Sequence, residues 1–332
     1  MAKAQIPDDP NPSIDPLTGD VAPTTEPAKD EISSLIDEMK STLDKLVRDK
    51  ASRGDVKMLS KAVAELRYGF KVFNTLRGRR KVSIFGSART KPDDPNYVLA
   101  EEFGRKIVAA GYMVITGAAS GIMEAGHRGA GREASVGLNI MLPFEQRSNP
   151  IIEGDMKLMH LKYFFTRKLL FIKESDAIVL FPGGFGTHDE GFEALTLMQT
   201  GKSHLMPLVL VEAPGDVYWR RWLSFVEGVL VPRGLVSPED VALYKLCHSA
   251  DEAVEEVQMF YRVYHSARYV KKDLVLRMHK SLSEETMQSI REEFKDICVA
   301  GTFEQTAALP MEANEEHLSH LPRLRFRFNR HH

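Results

Sequence analysis

The fold is decided by the stretch AIVLFPGGFGTHDE, which occupies residues 177–190. Its first five residues are apolar, as in a short strand that is buried on both faces of a parallel sheet. Adjacent glycines then mark a tight turn, and a helical spacing of apolar residues runs from residue 187 to residue 200. The stretch therefore predicts a strand, a glycine-rich turn and a helix in direct succession.

The same succession is repeated along the chain on both sides of this stretch. Further strand-like runs lie at residues 82–85, 112–116, 136–142 and 208–211, and further helical patterns lie at residues 97–110, 121–131 and 166–174. Strands that alternate with helices predict a parallel sheet that is covered by helices on both faces. We therefore expect an α/β domain with a Rossmann-like, doubly wound parallel sheet over residues 79–266.

Two smaller segments precede this domain. Residues 1–30 are rich in Pro, Asp and Thr and poor in large apolar side chains, so a disordered tail is predicted. Residues 31–78 form a predicted helical extension of two amphipathic helices, whose apolar faces pack either on the main domain or on a second subunit. The apolar face of the second helix consists of Leu59, Val63, Leu66, Phe70 and Phe73.

A small α+β module is predicted after the main domain, at residues 267–332. Its β-α-β-β pattern consists of a strand at residues 274–276, a helix at 283–297 and strands at 301–306 and 323–328. The last strand alternates Arg323, Arg325 and Arg327 with apolar residues, which places the charges on one face. That face is interpreted as exposed to solvent, with a regulatory anion or nucleotide site as the alternative.

Composition narrows the class of protein. The chain has 332 residues, 43% of them hydrophobic, and a formal net charge of −2, so it can bury a sizeable core and has no general attraction for nucleic acid or anionic lipid. Cys247 and Cys298 are too few for a disulfide framework and are not spaced as metal ligands. No apolar run predicts a membrane span, and the N-terminus lacks a signal-peptide pattern. We expect a soluble cytoplasmic protein without a membrane partner.

Three predicted strand–helix junctions are rich in glycine, namely residues 86–89, 117–121 and 183–187. Ligands bind beyond the carboxyl ends of the strands in such sheets, so the three junctions are expected to line one crevice. Each glycine taken alone could serve only to make a tight turn. Together they predict backbone N–H groups at helix N-termini, which suit a phosphate group.

Absent motifs restrict the phosphate ligand. No G-x-G-x-x-G follows the first strand, and no acid at the end of the second strand is placed to hold a ribose, so a dinucleotide is disfavoured. Residues 196–203 resemble a phosphate-binding loop only at their end, because Thr196 stands where that motif needs glycine. A mononucleotide with one phosphate fits the sequence better than either.

Charged residues near this crevice are candidates for chemistry. Glu190 follows Thr187 by three residues, which is the spacing of a helix capping box; the same position suits a carboxylate that stabilises an oxocarbenium-like sugar or orients a water. Arg167 and Lys168 begin the preceding predicted helix and are either solvated charges or ligands of a phosphate or a leaving base. Glu145, after the third strand, is either at the same edge or a solvated loop acid.

The segment PGGFGTHDE at residues 182–190 resembles the PGGxGTxxE signature of the Lonely guy family. Members of that family are phosphoribohydrolases that release the base from a nucleoside 5′-monophosphate, and many were long labelled lysine decarboxylases. Residues 86–89, residues 121–125 and the pair Arg167-Lys168 match the family as well. The resemblance therefore covers about residues 80 to 265.

The resemblance implies a reaction and a site. Water would attack the anomeric carbon of the ribose as the N-glycosidic bond of AMP or a cytokinin riboside monophosphate breaks. Arg167 and Glu190 would be the catalytic pair. The substrate would be bound by Gly86, Ser87, Glu145, Lys168, Gly183, Gly184, Phe185, Gly186, Thr187 and Thr196. The family further implies a homodimer and neither a metal nor an organic cofactor.

The chain departs from the family pattern at two places. Ala118 and Ala119 stand where the family usually has glycine, so a methyl group is expected to narrow the approach of a ligand to the backbone. Thr166 stands where an acid is common before Arg167. His188 occupies a variable position and is interpreted as an exposed residue of the first helical turn, not as a catalytic acid.

Two other functions fit the same fold. One is a non-catalytic nucleotide or cofactor carrier or sensor, because a fold does not fix an activity. The other is a single-stranded-DNA-binding protein, since residues 116–122 with His127 resemble a turn of such proteins and residues 323–330 offer a basic strip. The signature and the negative net charge disfavour nucleic acid as a partner.

Overall fold

The computed structural model describes residues 29–141, 147–312 and 315–329. The predicted tail up to residue 28 and the candidate Glu145 lie outside these ranges. No helix in the described ranges is long and apolar enough to cross a membrane.

A seven-stranded parallel sheet forms the centre of the main domain. Its strands are β1 (Lys81–Phe85), β2 (Met113–Thr116), β3 (Ser135–Ile140), β4 (Leu158–Leu161), β5 (Ala177–Leu180), β6 (Leu208–Val211) and β7 (Tyr244–Cys247). Their order is β4-β3-β2-β1-β5-β6-β7, and all neighbours are parallel. The chain builds outward from β1 to β4 and then returns to β5 on the other side of β1. This reversal opens a crevice at the carboxyl ends of β1 and β5.

The two edge strands of this sheet escaped the sequence prediction. Both β4 and β7 have four residues, as do the correctly predicted β2, β5 and β6, so their length does not explain the difference. In β4 the side chain of His160 is exposed, and in β7 only Cys247 is fully buried. Edge strands are covered less completely than central ones, and their sequences therefore lack a continuous apolar run.

Helices cover both faces of the sheet, as predicted. They are α3 (Pro95–Ala109), α4 (Ile122–Ala130), α5 (Phe164–Glu174), α6 (Phe185–Gln199), α7 (Tyr218–Phe225) and α8 (Ala250–Phe260). One apolar core contains Phe103 of α3 and Val257 of α8, and the other contains Phe171 of α5 and Met198 of α6. The predicted Rossmann-like, doubly wound class is therefore confirmed.

Two helices precede the sheet, α1 (Lys29–Arg48) and α2 (Arg53–Asn74). The buried face of α2 consists of Ala62, Glu65, Gly69, Val72 and Phe73. The predicted apolar face is right at Phe73 and wrong at Leu59, Val63 and Phe70, which remain exposed. The helix approaches α5 closely at Gly69, where a Cβ atom would lie 2.8 Å from a methyl carbon of Leu170.

The C-terminal module is a four-stranded antiparallel sheet with one helix. Its elements are β8 (Tyr264–Val270), β9 (Asp273–Met278), α9 (Glu284–Glu293), β10 (Cys298–Thr306) and β11 (Arg323–Phe328), and the strand order is β10-β11-β9-β8. The β-α-β-β prediction missed β8, because six of its seven residues are half-buried and its sequence YHSARYV shows no clear apolar alternation.

The arginines of β11 are not an exposed face. Arg323 is fully buried, and its guanidinium donates to Glu312 at 3.0 Å. Arg325 and Arg327 are partly exposed, and both pair with Asp273 at 3.3 Å. The exposed-face interpretation is wrong at Arg323, and because all three charges already have carboxylate partners, β11 does not offer a free anion site.

Candidate active site

The three glycine-rich junctions meet at one edge of the sheet, as predicted. They follow β1, β2 and β5, which are immediate neighbours. The N–H group of Ser87 donates to the carbonyl of Pro182 at 3.1 Å, and the N–H group of Ile122 donates to the carbonyl of Ser87 at 3.0 Å. The first junction is therefore hydrogen-bonded to both of the others, and the three form one continuous wall.

The glycines of this wall have two different roles. Gly121 has a φ of +66°, and a Cβ atom there would clash with the carbonyl oxygen of Ser87. A Cβ atom on Gly183 would clash with the hydroxyl of Thr187. Gly184 and Gly186 have open space where a side chain would point. The first two glycines are needed for packing, whereas the last two leave backbone accessible to a ligand.

Several of the helices that begin at this edge of the sheet lack side-chain caps at their N-termini. No side chain caps the N-terminus of α4, α5 or α6. By contrast, Ser or Asp side chains cap α2, α3, α8 and α9. The first N–H groups of a helix need partners, and the helix dipole makes this end electropositive. The three uncapped ends therefore favour an anion in the crevice.

The capping-box interpretation of Glu190 is wrong. Helix α6 begins at Phe185, with Gly184 at the N-cap, so Thr187 and Glu190 are its third and sixth residues. A capping box needs the acid at the third helical position. Glu190 is thus not used to cap the helix.

The side chains of Arg167, which is half-buried, and Glu190, which is buried, are close enough for their opposite charges to act on each other. Glu190 Oε2 and Arg167 Nε are buried and have no hydrogen-bond partner in the described structure. Burial raises the pKa of Glu190, although the positive charges of Arg167 and Lys168 act against this rise. Burial lowers the pKa of Arg167, and Glu190 acts against this fall. Buried polar atoms without partners are rare, so these two atoms are suited to a ligand.

A glycine and an aromatic ring hold the Arg167 guanidinium. A Cβ atom on Gly117 would lie 2.9 Å from a terminal nitrogen of Arg167. The ring of Phe171 lies on another side, with its centroid 5.4 Å from the guanidinium carbon. The first glycine of the second junction is therefore required for the position of this cation.

Lys168 forms ion pairs with two carboxylates. Its Nζ lies 2.8 Å from Asp189 and 3.5 Å from Glu193, both on α6. Burial acts to lower the pKa of Lys168, but these carboxylates outweigh it and raise the pKa. Lys168 therefore ties α5 to α6 next to the crevice. Its contact with a substrate stays a prediction.

Glu65 supports the start of α5 and was missed in the sequence. Its carboxylate accepts hydrogen bonds from the N–H group of Lys162 at 2.9 Å and from the hydroxyl of Thr166 at 2.7 Å. Thr166 stands where the family commonly has an acid, and here α2 supplies an acid to that hydroxyl. One signal of this role was available in advance, because Glu65 lies among the apolar residues of an amphipathic helix.

Ala118 does not narrow the crevice. It has a φ of +59°, which is unusual for a residue with a side chain. This conformation directs its methyl group into a small core with Ile152 and Leu158, where Ala118 is fully buried. The prediction that a methyl group narrows the approach of a ligand is therefore wrong at Ala118. Ala119 is half-buried and offers its carbonyl to Asn149 at 3.2 Å.

A buried histidine holds the second junction. His127 is fully buried; its Nε2 donates to the carbonyl of Val136 at 3.1 Å, and its Nδ1 accepts from the side-chain amide of Asn149 at 3.1 Å. Asn149 in turn donates its backbone N–H to the carbonyl of Ala118 at 2.8 Å. Burial lowers the pKa of His127 to about 4, so the ring is neutral at physiological pH. His127 is thus part of the scaffold.

His188 is half-buried, so its interpretation as an exposed residue is wrong. Its Nε2 donates to the hydroxyl of Tyr218 at 2.7 Å, and that hydroxyl donates to the carbonyl of Gly183. The ring also stacks on Phe192, with centroids 5.9 Å apart. Burial lowers the pKa of His188. The residue supports the glycine turn from the side of α7.

The remaining predicted substrate-binding residues differ in how close they lie to Arg167 and Glu190. Gly86 and Ser87 belong to the wall described above. Phe185 is 97% exposed at the mouth of the crevice. Thr196 is exposed on α6 and lies about 120° around the helix axis from Glu190. Within one chain the structure does not bring Thr196 to the buried pair.

Fold and site together define a class: a Rossmann-like α/β protein with a glycine-lined crevice at the strand-order reversal and an arginine and a buried glutamate beside it. A family model described as "Possible lysine decarboxylase" matches residues 115–257. The predicted resemblance to the Lonely guy family is thereby confirmed.

Three proteins of similar sequence are named as known or probable cytokinin riboside 5′-monophosphate phosphoribohydrolases. A probable cytokinin riboside 5′-monophosphate phosphoribohydrolase of Oryza sativa subsp. japonica is 27% identical over 197 residues, which are 58% of this chain and 77% of that protein. A cytokinin riboside 5′-monophosphate phosphoribohydrolase of Arabidopsis thaliana is 26% identical over 54% of this chain and 83% of that protein. A similarly named protein of Rhodococcoides fascians is 33% identical over 28% of this chain and 44% of its own length.

Solved structures with a similar fold include the molybdenum cofactor carrier protein of Chlamydomonas reinhardtii. It is 20% identical, with a TM-score of 0.39, and the match covers 55% of this chain and 97% of that one.

Proposed function

We propose that this protein hydrolyses the N-glycosidic bond of a nucleoside 5′-monophosphate to a free base and ribose 5-phosphate. The observation that carries the proposal concerns two buried atoms, Arg167 Nε and Glu190 Oε2, which have no hydrogen-bond partner among the described residues. The pair stands beside the uncapped N-terminus of α6. A phosphorylated ribose with a base would supply partners to all three groups.

The phosphate would bind at the glycine turn. The exposed backbone of Gly184 and Gly186 and the positive end of α6 offer N–H donors without a competing side-chain cap. A phosphate held there fixes the sugar with its anomeric carbon toward the interior, where Glu190 lies. Binding of the non-reacting phosphate thereby orients the reacting bond.

Glu190 and Arg167 would divide the chemistry between them. Ionised Glu190 stabilises the positive charge that develops at the anomeric carbon and accepts a proton from the attacking water. The bond from that carbon to the water oxygen forms as its bond to the base nitrogen breaks. Arg167 donates a hydrogen bond to the departing base. Glu190 then releases the proton that it took from the water, and the base takes up that proton. The raised pKa of Glu190 makes it a stronger proton acceptor than an ordinary carboxylate.

AMP and cytokinin riboside monophosphates are the substrates proposed for a first test. The similar proteins from rice and Arabidopsis are named for cytokinin riboside 5′-monophosphates. AMP has the same phosphate and ribose and the same purine ring system. Base specificity depends on the shape of the pocket, so a panel of purine, pyrimidine and isopentenyl-modified monophosphates is the appropriate comparison.

We further propose that the chain acts as a homodimer. In α1, the apolar residues Ile32, Ile36, Met39, Leu43 and Leu46 follow one another at alternating steps of four and three. This is the spacing of a coiled-coil seam. The first four of these side chains are exposed. Large apolar side chains are also exposed beside the crevice, at Phe164, Phe165 and Phe185. A second copy would cover both surfaces.

The test is the release of adenine from AMP by the purified full chain. We expect release by the wild type and a loss of roughly 100-fold or more in Glu190→Gln and Arg167→Ala. Glu255→Gln, an exposed position on α8, is the control and should keep full activity. Thermal unfolding of each variant must show an intact fold. Unchanged turnover in both Glu190→Gln and Arg167→Ala would contradict the proposed mechanism.

A further inference from the structure

A second cavity lies at the opposite end of the sheet from Glu190. It has a volume of about 410 Å³, which is within the range of small-molecule sites. Its lining includes Arg79, Arg80, Tyr112, Gln258, Tyr261 and His279. Arg79 and Arg80 precede β1, whereas the active-site wall begins at Gly86, after β1. The two sites are therefore separated by the length of β1, or roughly 20 Å.

Four segments from different parts of the chain converge on this cavity. They are the turn before β1, the turn before β2, the end of α8 and the residue after β9. Gly78 and Gly111, both in the lining, have φ values of +87° and +95°. These turns therefore present backbone without side chains and leave room between the main sheet and the C-terminal module.

The walls carry more positive than negative charge. The guanidinium of Arg79 donates to the carbonyl of Tyr112 at 3.3 Å, and no carboxylate in the described ranges forms an ion pair with it. Arg80 pairs with Asp176 at 3.3 Å and lies over the ring of Tyr261, 3.6 Å from its centroid. Behind them Lys81 is buried and donates to the carbonyl of Arg79 at 3.1 Å. Arg79 therefore has further guanidinium N–H groups that can donate hydrogen bonds to a ligand.

His279 lines the cavity on the side of the C-terminal module, and His265 lies next to it. The ring centroids of the two histidines are 5.1 Å apart. Burial, together with the smaller effects of the charges of His279, Arg80 and Arg277, lowers the pKa of His265 to about 4. The same field lowers the pKa of His279, after the effect of burial. A site in which cations disfavour the protonation of their neighbours is one in which an anion is favoured.

We propose that this cavity binds a small phosphorylated metabolite with at least two negative charges. Arg79, the outer face of Arg80 and His279 would contact its phosphate groups, because arginine pairs with phosphate through two parallel hydrogen bonds. The volume suits a small molecule and not a nucleic-acid groove. This site is independent of the proposed hydrolysis and uses none of its residues.

Pyrophosphate binding to the full chain, measured by titration calorimetry at low salt, tests this site. We expect Arg79→Ala and His279→Gln to weaken this binding roughly tenfold or more, because each removes a charge-assisted or direct hydrogen bond. Arg77→Ala is the matched control, since Arg77 is exposed nearby and does not line the cavity. Arg167→Ala should leave binding at the cavity unchanged.

Two outcomes would overturn the proposal. One is the absence of pyrophosphate binding to the Gly186→Ala variant, in which the added methyl group fills the open space proposed for the phosphate at the glycine turn. The other is equal binding by the wild type, Arg79→Ala and His279→Gln. Unfolding curves without pyrophosphate separate a lost contact from a lost fold. Neither outcome bears on adenine release, so a failure here is distinguishable from a failure of the proposed hydrolysis.

Discussion

The glycines that line the crevice differ in what surrounds them. Gly121 and Gly183 have no room for a side chain, whereas Gly184 and Gly186 do. The sequence shows four glycines of the same kind. Their environments show that a substitution can damage either the fold or the site, depending on the position.

Gly186→Ala is expected to reduce turnover without loss of stability. Gly186 is the second residue of α6, where alanine is favoured over glycine by roughly 0.5–1 kcal/mol. Its methyl group would project into the open space proposed for the phosphate. We expect an unchanged or higher free energy of unfolding together with a raised KM for AMP. Gly228→Ala, also in open space but remote from the turn, is the control. A normal KM in Gly186→Ala would place the phosphate elsewhere.

His127 is expected to make the protein sensitive to acid. Its pKa in the folded state is lowered to about 4, so the unfolded chain binds a proton first as the pH falls below 6.5. Stability therefore rises with pH through this window, and acidification from pH 6.5 to pH 4 costs about 3 kcal/mol at this one residue.

The variant His127→Gln checks this dependence. An amide keeps one donor and one acceptor but does not titrate. The free energy of unfolding, measured in urea at several pH values, should fall less steeply on acidification than in the wild type. Identical pH profiles for the two proteins would show that His127 does not titrate in this way.

Helix α2 acts on the site through the start of α5. Glu65 holds Thr166 and the N–H group of Lys162, and Arg167 follows Thr166 directly. A helix that is outside the glycine signature thus positions the proposed catalytic cation. Glu65 is a positioning residue, because its carboxylate contacts α5 and not the crevice.

Glu65→Ala is expected to lower the free energy of unfolding by about 1–3 kcal/mol, since two donors lose their partner. We also expect kcat to fall more than KM rises. Thr166→Val should reproduce part of the loss, and the double variant should lose less than the sum of the two. Arg67→Ala, exposed on the same helix, is the control. Strict additivity of the two losses would argue against a shared role.

For the whole molecule, α1 indicates a partner. Its large apolar side chains from Ile32 to Val47 are exposed apart from Leu46, which is half-buried. An exposed seam of this length is unfavourable in water unless it is covered. A helix of 20 residues is marginally stable alone, so pairing of two copies would also stabilise the helix.

The double substitution Ile36→Ser with Leu43→Ser tests the dimer. We expect the wild type to sediment as a dimer and the variant to dissociate at concentrations roughly 100-fold higher, because two buried apolar side chains per chain are lost. Val98→Ser, an exposed position on α3, is the control. A monomeric wild type would contradict the proposal, and an unaltered dimer would place the interface away from α1.

The part of the fold that could be predicted from the sequence depends on residues that are close together along the chain. The run at residues 177–190 specified a strand, a turn and a helix, because apolar periodicity and glycine act within a few residues. The order of the central strands brought the three glycine junctions together as that pattern required. The position of Glu190 at the crevice followed from the same local signal.

Contacts between distant segments needed the folded molecule. Periodicity cannot reveal that Glu65 meets Thr166, that the methyl group of Ala118 points inward, or that Arg323 is buried against Glu312. Each depends on how separate elements pack and on which polar groups they leave to be paired. Burial in the folded molecule also lowers the pKa of His127 and raises that of Glu190. The glycine turn could therefore be predicted from the sequence. The groups that support this turn, and the second cavity, arise from tertiary packing alone.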